Sequence, residues 1–478
     1  MLIKIKKEFM NSYYVQKIKD NLAIIVWSLL MTGFCVVISY PGIFYSDSYA
    51  RVETADKIRA AMSMLFSGQG DAIEIRSWIT VIPSVFMAVC KILTGNIAFY
   101  TFVQAFSFFL VTFLLIKKFG TKYKWLQYVL YVINPLFYSE AIYYEAGVGC
   151  VIGIVLMVLV LTSMVKEKNY LDRIIDIFLL VMASFVTFGY RANAFTILPI
   201  IFIYIFIQKC EVAKKIWATV ALITGFIMVL IVPKVLNVDT MSSSIAGFVW
   251  EMLTTIDAME PEKKAEYIDF LDEFGEPGIT ERAVEANLEI IVSGFLEFSD
   301  LNIYALSEEG RAGLALEKYI EFFMREPGAL LETKWKNAMR TLGFTAPLSC
   351  SEYNYNCAEL MNRYGFNDSI ERLEFYRNYY AMTNTIGGYI LHPWIVFLVT
   401  IILTIVEWFR KSENRGVYTF LLLIAVFYYA AYLLNTQSFE LRYFYPALYL
   451  MWIMDVAIVM DLLAKGVAFV KNELPKKS

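Results

Sequence analysis

Residues 21–40 read NLAIIVWSLLMTGFCVVISY, and residues 41–49 continue PGIFYSDSY. The first twenty carry no charge and no proline. As a helix they are long enough for the hydrocarbon core of a bilayer, which takes about 20 residues. Lys4, Lys6, Lys7, Lys17 and Lys19 precede them. By the bias of lysine and arginine toward the cytoplasm, residues 1–20 are expected inside. No small-residue cleavage site follows, and Tyr40-Pro41-Gly42 stands where one would be, so the block reads as a signal anchor. The chain then emerges on the outer face at Pro41.

Working outward, similar blocks recur at 77–93, 97–116, 146–165, 174–187, 192–207, 216–236, 386–408, 417–434 and 443–463, with a weaker one at 125–138. Composition agrees. Of 478 residues 58% are hydrophobic and 18% charged, against roughly a quarter charged in soluble domains. The mean hydropathy is +0.55. The expected fold is an all-α membrane protein with about 10–11 transmembrane segments. The formal charge of −3 gives no basis for a nucleic-acid partner.

The basic stretches 166–173, 209–215, 410–415 and 465–477 place those loops and both termini in the cytoplasm. The map is a cytoplasmic N-terminus (1–20), an N-terminal transmembrane module (21–236) with a first external loop (41–76), and an external domain (237–385). A C-terminal membrane part (386–464) and a cytoplasmic tail (465–478) follow. Parity requires one segment between residues 76 and 139 to be re-entrant or partly spanning, either 77–93 or 125–138. Irregular backbone at that depth needs a protein or water-filled surround. The external stretch holds 26 acidic and 12 basic residues. Helical periodicity at 314–324 and 329–342 makes it mostly helical, with helix starts expected at Thr280-Glu281 and Pro327.

Four interfacial clusters carry polar residues that a bilayer penalises. The first is Asp47, with Tyr45, Tyr49, Arg51, Glu53 and Asp56. Asp47 there is either a general base toward a hydroxyl or, with Ser46, a helix cap. The second is Asn134-Pro135 with Glu140, Tyr143, Tyr144 and Glu145, which also reads as a belt of interface tyrosines. The third, Tyr190-Arg191-Ala192-Asn193, suits a lipid phosphate through Arg191 or a plain interfacial turn. The fourth is Glu440-Leu441-Arg442-Tyr443-Phe444-Tyr445-Pro446, a site or an interfacial anchor. The single histidine, His392, argues against histidine-rich metal sites and reads as an interface residue. Walker-type, His-Glu-x-x-His and Gly-x-Ser-x-Gly motifs are absent. Cys350 and Cys357, the one close pair among six cysteines, suit a disulfide or two unrelated thiols.

In this order the clusters resemble the multi-spanning glycosyltransferases of the GT-C fold, and most of all a bacterial branch of them. The resemblance rests on Pro41-Gly42 then Asp47-Ser48, on Asn134-Pro135 before Glu145, on Arg191-x-Asn193, and on Arg442-Tyr443-x-x-Pro446. It covers nearly the whole chain. Two departures stand out. Arg76-Ser77-Trp78 replaces the branch's His-Pro, and Tyr144-Glu145 replaces its Lys-Asp.

The resemblance implies a polyprenyl-phosphate-linked sugar donor and an envelope glycan, lipid or protein acceptor at the outer face of the cell membrane. It makes Asp47 the base of an inverting displacement. Arg76, Arg191, Asn193, Arg442 and Tyr443 would bind the lipid phosphate. Glu53, Asp56, Glu140 and Glu145 would orient sugar hydroxyls, and a divalent cation is an open option with no metal ligand assigned. A polysaccharide polymerase or ligase is one rival, although arginine-rich loops would suit it better than this acidic one. A lipid-linked glycan flippase is another, and it would carry charges at mid-membrane. A scaffold is the third.

Overall fold

A computed structural model describes residues 12–43, 46–67, 75–77, 79–120, 124–133, 141–240, 244–272, 311–348, 374, 388–434 and 439–473. In chain order the elements begin with α1 (Tyr13–Asp20), α2 (Leu22–Ser39), α3 (Ser46–Ser67), β1 (Ile75–Ser77), α4 (Ile82–Thr94), α5 (Ala98–Phe119), α6 (Lys124–Ile133), α7 (Ala146–Leu161) and α8 (Tyr170–Tyr190). After a 3-10 turn (Ala192–Ile197) come α9 (Leu198–Ile207), α10 (Val212–Val235), β2 (Val238–Thr240), α11 (Ser244–Asp257), α12 (Pro261–Ala265), α13 (Arg311–Arg325) and α14 (Pro327–Thr341). A second 3-10 turn (Gly388–Leu391), α15 (Pro393–Phe409), α16 (Arg415–Leu434) and α17 (Leu441–Glu473) complete the chain. The chain is all-α apart from the three-residue parallel pair of β1 with β2.

The local chemistry follows ordinary capping rules. Asn169 and Asp172 form a reciprocal capping box at the start of α8. Gly120 ends α5 in the left-handed conformation after Lys117 and Lys118. Pro327 opens α14 as expected, and α13 covers the periodic stretch around residues 314–324.

The bundle has two chemically distinct ends. At one, Lys117 donates to Asn21, Lys214 donates to the Met164 carbonyl, and Arg410 pairs with Asp461. At the other, Asn96 donates to the Tyr40 hydroxyl and Arg191 to the Arg442 carbonyl. These are called the lysine end and the arginine end. Helix α2 runs from the first to the second, α5 returns, α7 and α8 form the next pair, the 3-10 turn with α9 returns to the lysine end, and α10, α15, α16 and α17 continue the alternation. Helix α4 differs: Thr80 before it donates to Tyr190, and Asn96 after it reaches Tyr40, so both its flanks lie at the arginine end. It packs along α3. Of the two segments that parity leaves open, 77–93 contains a helix that does not traverse the bundle, while residues 134–138 of the other lie outside the described residues.

Among the described residues four helices are long and apolar enough to cross a membrane: α5, α10, α16 and α17 up to Gly466. The bent pair α1–α2 makes a fifth if it counts as one span. Four more apolar stretches are shorter: Ile82–Thr94, Ala146–Leu161, Ala192–Ile207 and Pro393–Phe409. These helices are compatible with a membrane protein, and among the described residues fewer of them are full-length spans than the ten or eleven that apolar blocks suggest.

Close backbone approach holds α7, α8 and α10 together. A Cβ at Gly149 would fall 1.9 Å from the Tyr190 ring, and one at Gly153 would fall 2.3 Å from the Thr187 hydroxyl and 2.8 Å from the Ala183 carbonyl. The Gly149-x-x-x-Gly153 spacing is the small-residue helix contact used where apolar burial between helices gives little. Gly153→Ala is expected to destabilise the protein by about 1–3 kcal/mol, because backbone rather than a flexible side chain must move. Thermal unfolding of the purified protein checks this, with Gly33→Ala as the neutral control, since nothing lies within 4 Å of its added methyl. Outside the main core, Val249, Trp250, Leu253, Tyr267, Phe322 and Leu330 form a separate small core among α11, α13 and α14. Lys334 ties this unit to the bundle, bonding Glu251 and the Leu434 carbonyl.

Candidate functional site

The site lies at the arginine end and is assembled from four parts of the chain. Leaving α2, the backbone at Ile43 pairs with Tyr143 in a parallel bridge, donating to the Ile142 carbonyl at 2.9 Å. Gly42 makes this pairing possible. Its φ is +131°, and a Cβ there would meet the Tyr144 ring at 2.6 Å and the Thr101 hydroxyl at 2.7 Å. Tyr144 and Thr101 both donate to the Pro41 carbonyl. Gln104 anchors the opposing loop through the Ala141 and Tyr143 carbonyls. Two loops are thereby locked together, which sets Asp47 in the first turn of α3 beside Glu145 at the cap of α7.

Six charged side chains meet there. Arg442 Nη1 lies 2.6 Å from Asp47 Oδ2 and 3.4 Å from Glu145 Oε1, while its Nε donates to Glu440 at 2.5 Å. Arg51 Nη1 bonds Glu145 Oε1 at 2.8 Å and the Tyr144 carbonyl at 3.2 Å. Arg191 Nη2 reaches Glu145 Oε2 at 3.5 Å and the Arg442 carbonyl at 2.8 Å. The Tyr443 ring lies under both Arg191 and Arg442, at 5.2 and 4.9 Å. Asp47, Arg51, Glu145, Glu440 and Arg442 are all buried. Three carboxylates thus face three guanidinium groups, and the cluster is formally neutral.

Within that balance the carboxylates are held unequally. Burial pushes the Glu145 carboxyl up, but Arg51, Arg442, Arg191 and the Ala146 N–H outweigh it, and the net result is lowered to about 2. Glu145 is a fixed counter-ion. Among the described residues Asp47 has a single ion-pair partner, Arg442. On the cationic side, Arg51 Nε and Arg191 Nε are buried with no hydrogen-bond partner among the described residues. Buried donors are almost always satisfied, so two spare guanidinium N–H groups in one cluster mark room for an acceptor.

The sequence candidates divide clearly. Asp47, Glu145, Arg191, Arg442 and Tyr443 come together, and Asn193 bonds to Tyr432 beside Arg191. Glu53 and Asp56 do not join them: Glu53 pairs with Lys57 at 3.3 Å and Asp56 with Lys91 on another face of α3. They support that face, not the cluster. Arg76 lies in β1, its backbone in register with Asp239. The Arg76 side chain, Glu140, Asn134, Pro135, Tyr45, Thr280, Cys350 and Cys357 lie outside what the structure describes. His392 bonds the Gly343 carbonyl and joins α14 to α15. Arg51 and Glu440 are full members that the motifs undervalued. Arg51 was findable, because it sits four residues after Asp47 on the same helical face. No group of three or more His, Cys, Asp or Glu residues suited to a metal occurs among the described residues. Each carboxylate of the cluster already faces a guanidinium, and that donor set suits a phosphate better than a divalent cation.

Compared with known proteins, the chain matches no family model, no curated protein and no solved structure.

Proposed function

We propose that the chain is a membrane glycosyltransferase that moves a sugar from a polyprenyl-phosphate carrier to an acceptor on the outer face of the cytoplasmic membrane. The observation that carries the reading is the single Asp47–Arg442 pair in a buried cluster with two unsatisfied guanidinium donors. The basic end would face the cytoplasm by the positive-inside bias. The arginine end, with the α11–α14 unit beside it, would then face outward.

In this reading the carrier's phosphate takes the place of Asp47 on Arg442 and accepts from the spare Nε–H of Arg191 or Arg51. The freed Asp47 carboxylate takes the proton of the acceptor hydroxyl. The acceptor oxygen bonds the anomeric carbon as the bond to the phosphate oxygen breaks, and the phosphate leaves with that electron pair. Arg442 and Arg191 stabilise the growing charge. A single displacement inverts the configuration. Glu145 acts as the fixed anion that keeps the three arginines in place. The half-traversing α4 would border the entry of the polyprenyl chain, and the α11–α14 unit would hold the acceptor.

One observation favours transport of a lipid-linked glycan as a second reading. Asp455, near the middle of α17, accepts from Thr400 at 3.0 Å, and its other carboxylate oxygen is buried with no hydrogen-bond partner among the described residues. An ionisable group at that depth is a default mark of a translocation path. Cell-envelope glycan composition separates the two readings in a deletion strain complemented at matched abundance. Under the transferase reading Asp455→Asn restores the missing sugar in full and Asp47→Asn does not. Restoration by Asp47→Asn with failure of Asp455→Asn puts transport first.

A further inference from the structure

The lysine end carries a second charged cluster that the transferase reading does not use. Helix α1 lies across this end, fixed by Asp172, which accepts from Ser12 and from the backbone N–H of Tyr13 and Tyr14. The Tyr13 ring is a platform for ammonium groups: Lys17 Nζ lies 5.5 Å from its centre, Lys166 Nζ 5.7 Å and Lys168 Nζ 4.8 Å. Lys168 is neutralised by Asp176 at 2.7 Å, and Lys117 is spent on the Asp20 carbonyl and Asn21. Lys17 and Lys166 are not neutralised in this way. Among the described residues neither has an ion pair or a hydrogen bond through its ammonium, and the same holds for Lys118 at the end of α5. Lys17 is within electrostatic range of Lys166 and Lys117 and of one acid, Asp20, and Lys118 is within range of Lys166 and Lys17. The acids close by are committed or turned away. Asp172 and Asp176 are bonded as above, Asp20 accepts from Gln16, and Glu167 is exposed.

Three unpaired lysines on three separate elements, pressed together against like charge, form a site for an anion. The surroundings select which one. Ile18 and Leu22 are exposed on the α1–α2 face, Val26 and Leu29 continue the apolar line along α2, and Val165 is exposed next to Lys166. An occupant with a phosphate at the lysines and acyl chains along that line satisfies both halves.

We infer that Lys17 and Lys166 over the Tyr13 ring, with Lys118 in electrostatic range of both, bind the headgroup phosphate of an anionic phospholipid at the end of the bundle opposite the arginine cluster. Lysines near an anionic surface each add about fivefold to binding, so the three together supply on the order of a hundredfold preference over a zwitterionic lipid. The inference stands whether or not the arginine cluster transfers a sugar.

The test is native mass spectrometry of the full-length protein in detergent with dioleoyl phosphatidylglycerol or dioleoyl phosphatidylcholine at equal concentration. The wild type is expected to retain phosphatidylglycerol by about a hundredfold over phosphatidylcholine. The variant with Lys17→Gln, Lys118→Gln and Lys166→Gln loses that preference, and the control Lys57→Gln with Lys336→Gln keeps it. Lys166→Gln alone, at an exposed position, gives a partial loss and secures the result if the triple variant does not fold. Equal retention of the two lipids, or undiminished phosphatidylglycerol on the variants, overturns the inference. Displacement of phosphatidylglycerol by millimolar inorganic phosphate also overturns it, since the ligand would then be a free phosphate ion.

Discussion

Asp47→Asn is expected to abolish sugar transfer while strengthening the grip on the lipid phosphate. The two effects have one cause. In the proposed reaction the carboxylate is the base, and in the structure it is the group that occupies Arg442 Nη1, at 2.6 Å. General-base catalysis contributes about 10²–10⁴-fold, and the amide, which cannot take a proton at neutral pH, forfeits it. The amide also carries no charge to compete with a phosphate for the guanidinium. Charge-assisted hydrogen bonds are roughly twice as strong as neutral ones, so Arg442 freed of its partner binds an incoming phosphate more tightly. A purely structural Asp47 would give the opposite pattern, with weaker binding as the cluster loosened. Two measurements on one variant check this: single-turnover transfer from a polyprenyl-phosphate sugar, and equilibrium binding of the polyprenyl phosphate product. Loss of transfer of about a thousandfold with tighter binding supports the exchange of carboxylate for phosphate. Weaker binding with lost transfer leaves Asp47 as a structural anchor.

Much of this site was legible as a set of short polar interruptions in an apolar chain. The reason is physical: a bilayer penalises such residues, so Asp47, Glu145, Arg191 and Arg442 stand out against their neighbours. What could not be read was which of them meet. Glu53 and Asp56 share a helix with Asp47, yet they lie on other faces of α3 and pair with Lys57 and Lys91. The helical period distinguishes them only once the partner helix is known. Membership of Arg51 and Glu440 rests on long-range contacts, Arg51 with Glu145 and Glu440 with Arg442.

The all-α class was legible from block length, whereas the number of full spans was not. Charged starts such as Asp172 and Asp176 in α8, and short apolar helices such as α7, look alike in hydropathy whether they span or only pack. The non-traversing α4 was legible to within two choices by parity, and Tyr40, Asn96, Thr80 and Tyr190 place both its flanks at the arginine end. Asp455 does not stand out in the sequence, because one carboxylate in an apolar helix does not alter a window average.

Arg442→Met should be the most damaging single change to the fold at this end of the bundle, about 3–5 kcal/mol, because it strands charges and does not merely remove a contact. Arg442 is the sole ion-pair partner of Asp47 among the described residues and also pairs with Glu440, and both acids are buried. Glu145 would survive the loss, since Arg51 and Arg191 remain on it. Arg442→Lys should recover little. An ammonium is a point charge and cannot fork between Asp47, Glu145 and Glu440 as the planar guanidinium does. If the cluster is instead a loose surface network, both variants would melt with the wild type. Pairing with an acid-side change makes the attribution firm: in Arg442→Met, adding Asp47→Asn and Glu440→Gln should restore part of the lost stability, since the stranded charges are gone. Acid titration carries the same sign. Glu145 is lowered from 4.5 to about 2, so its contribution is full above pH 4.5 and is lost as pH falls toward 2. The stability of the wild type should therefore drop across that window, and Arg51→Met, which removes its nearest cation, should move the drop to higher pH. Thermal unfolding from pH 2 to 7 reads both effects, and a wild-type midpoint that is flat from pH 4.5 down to 2 would count against Glu145 as the fixed anion of the cluster.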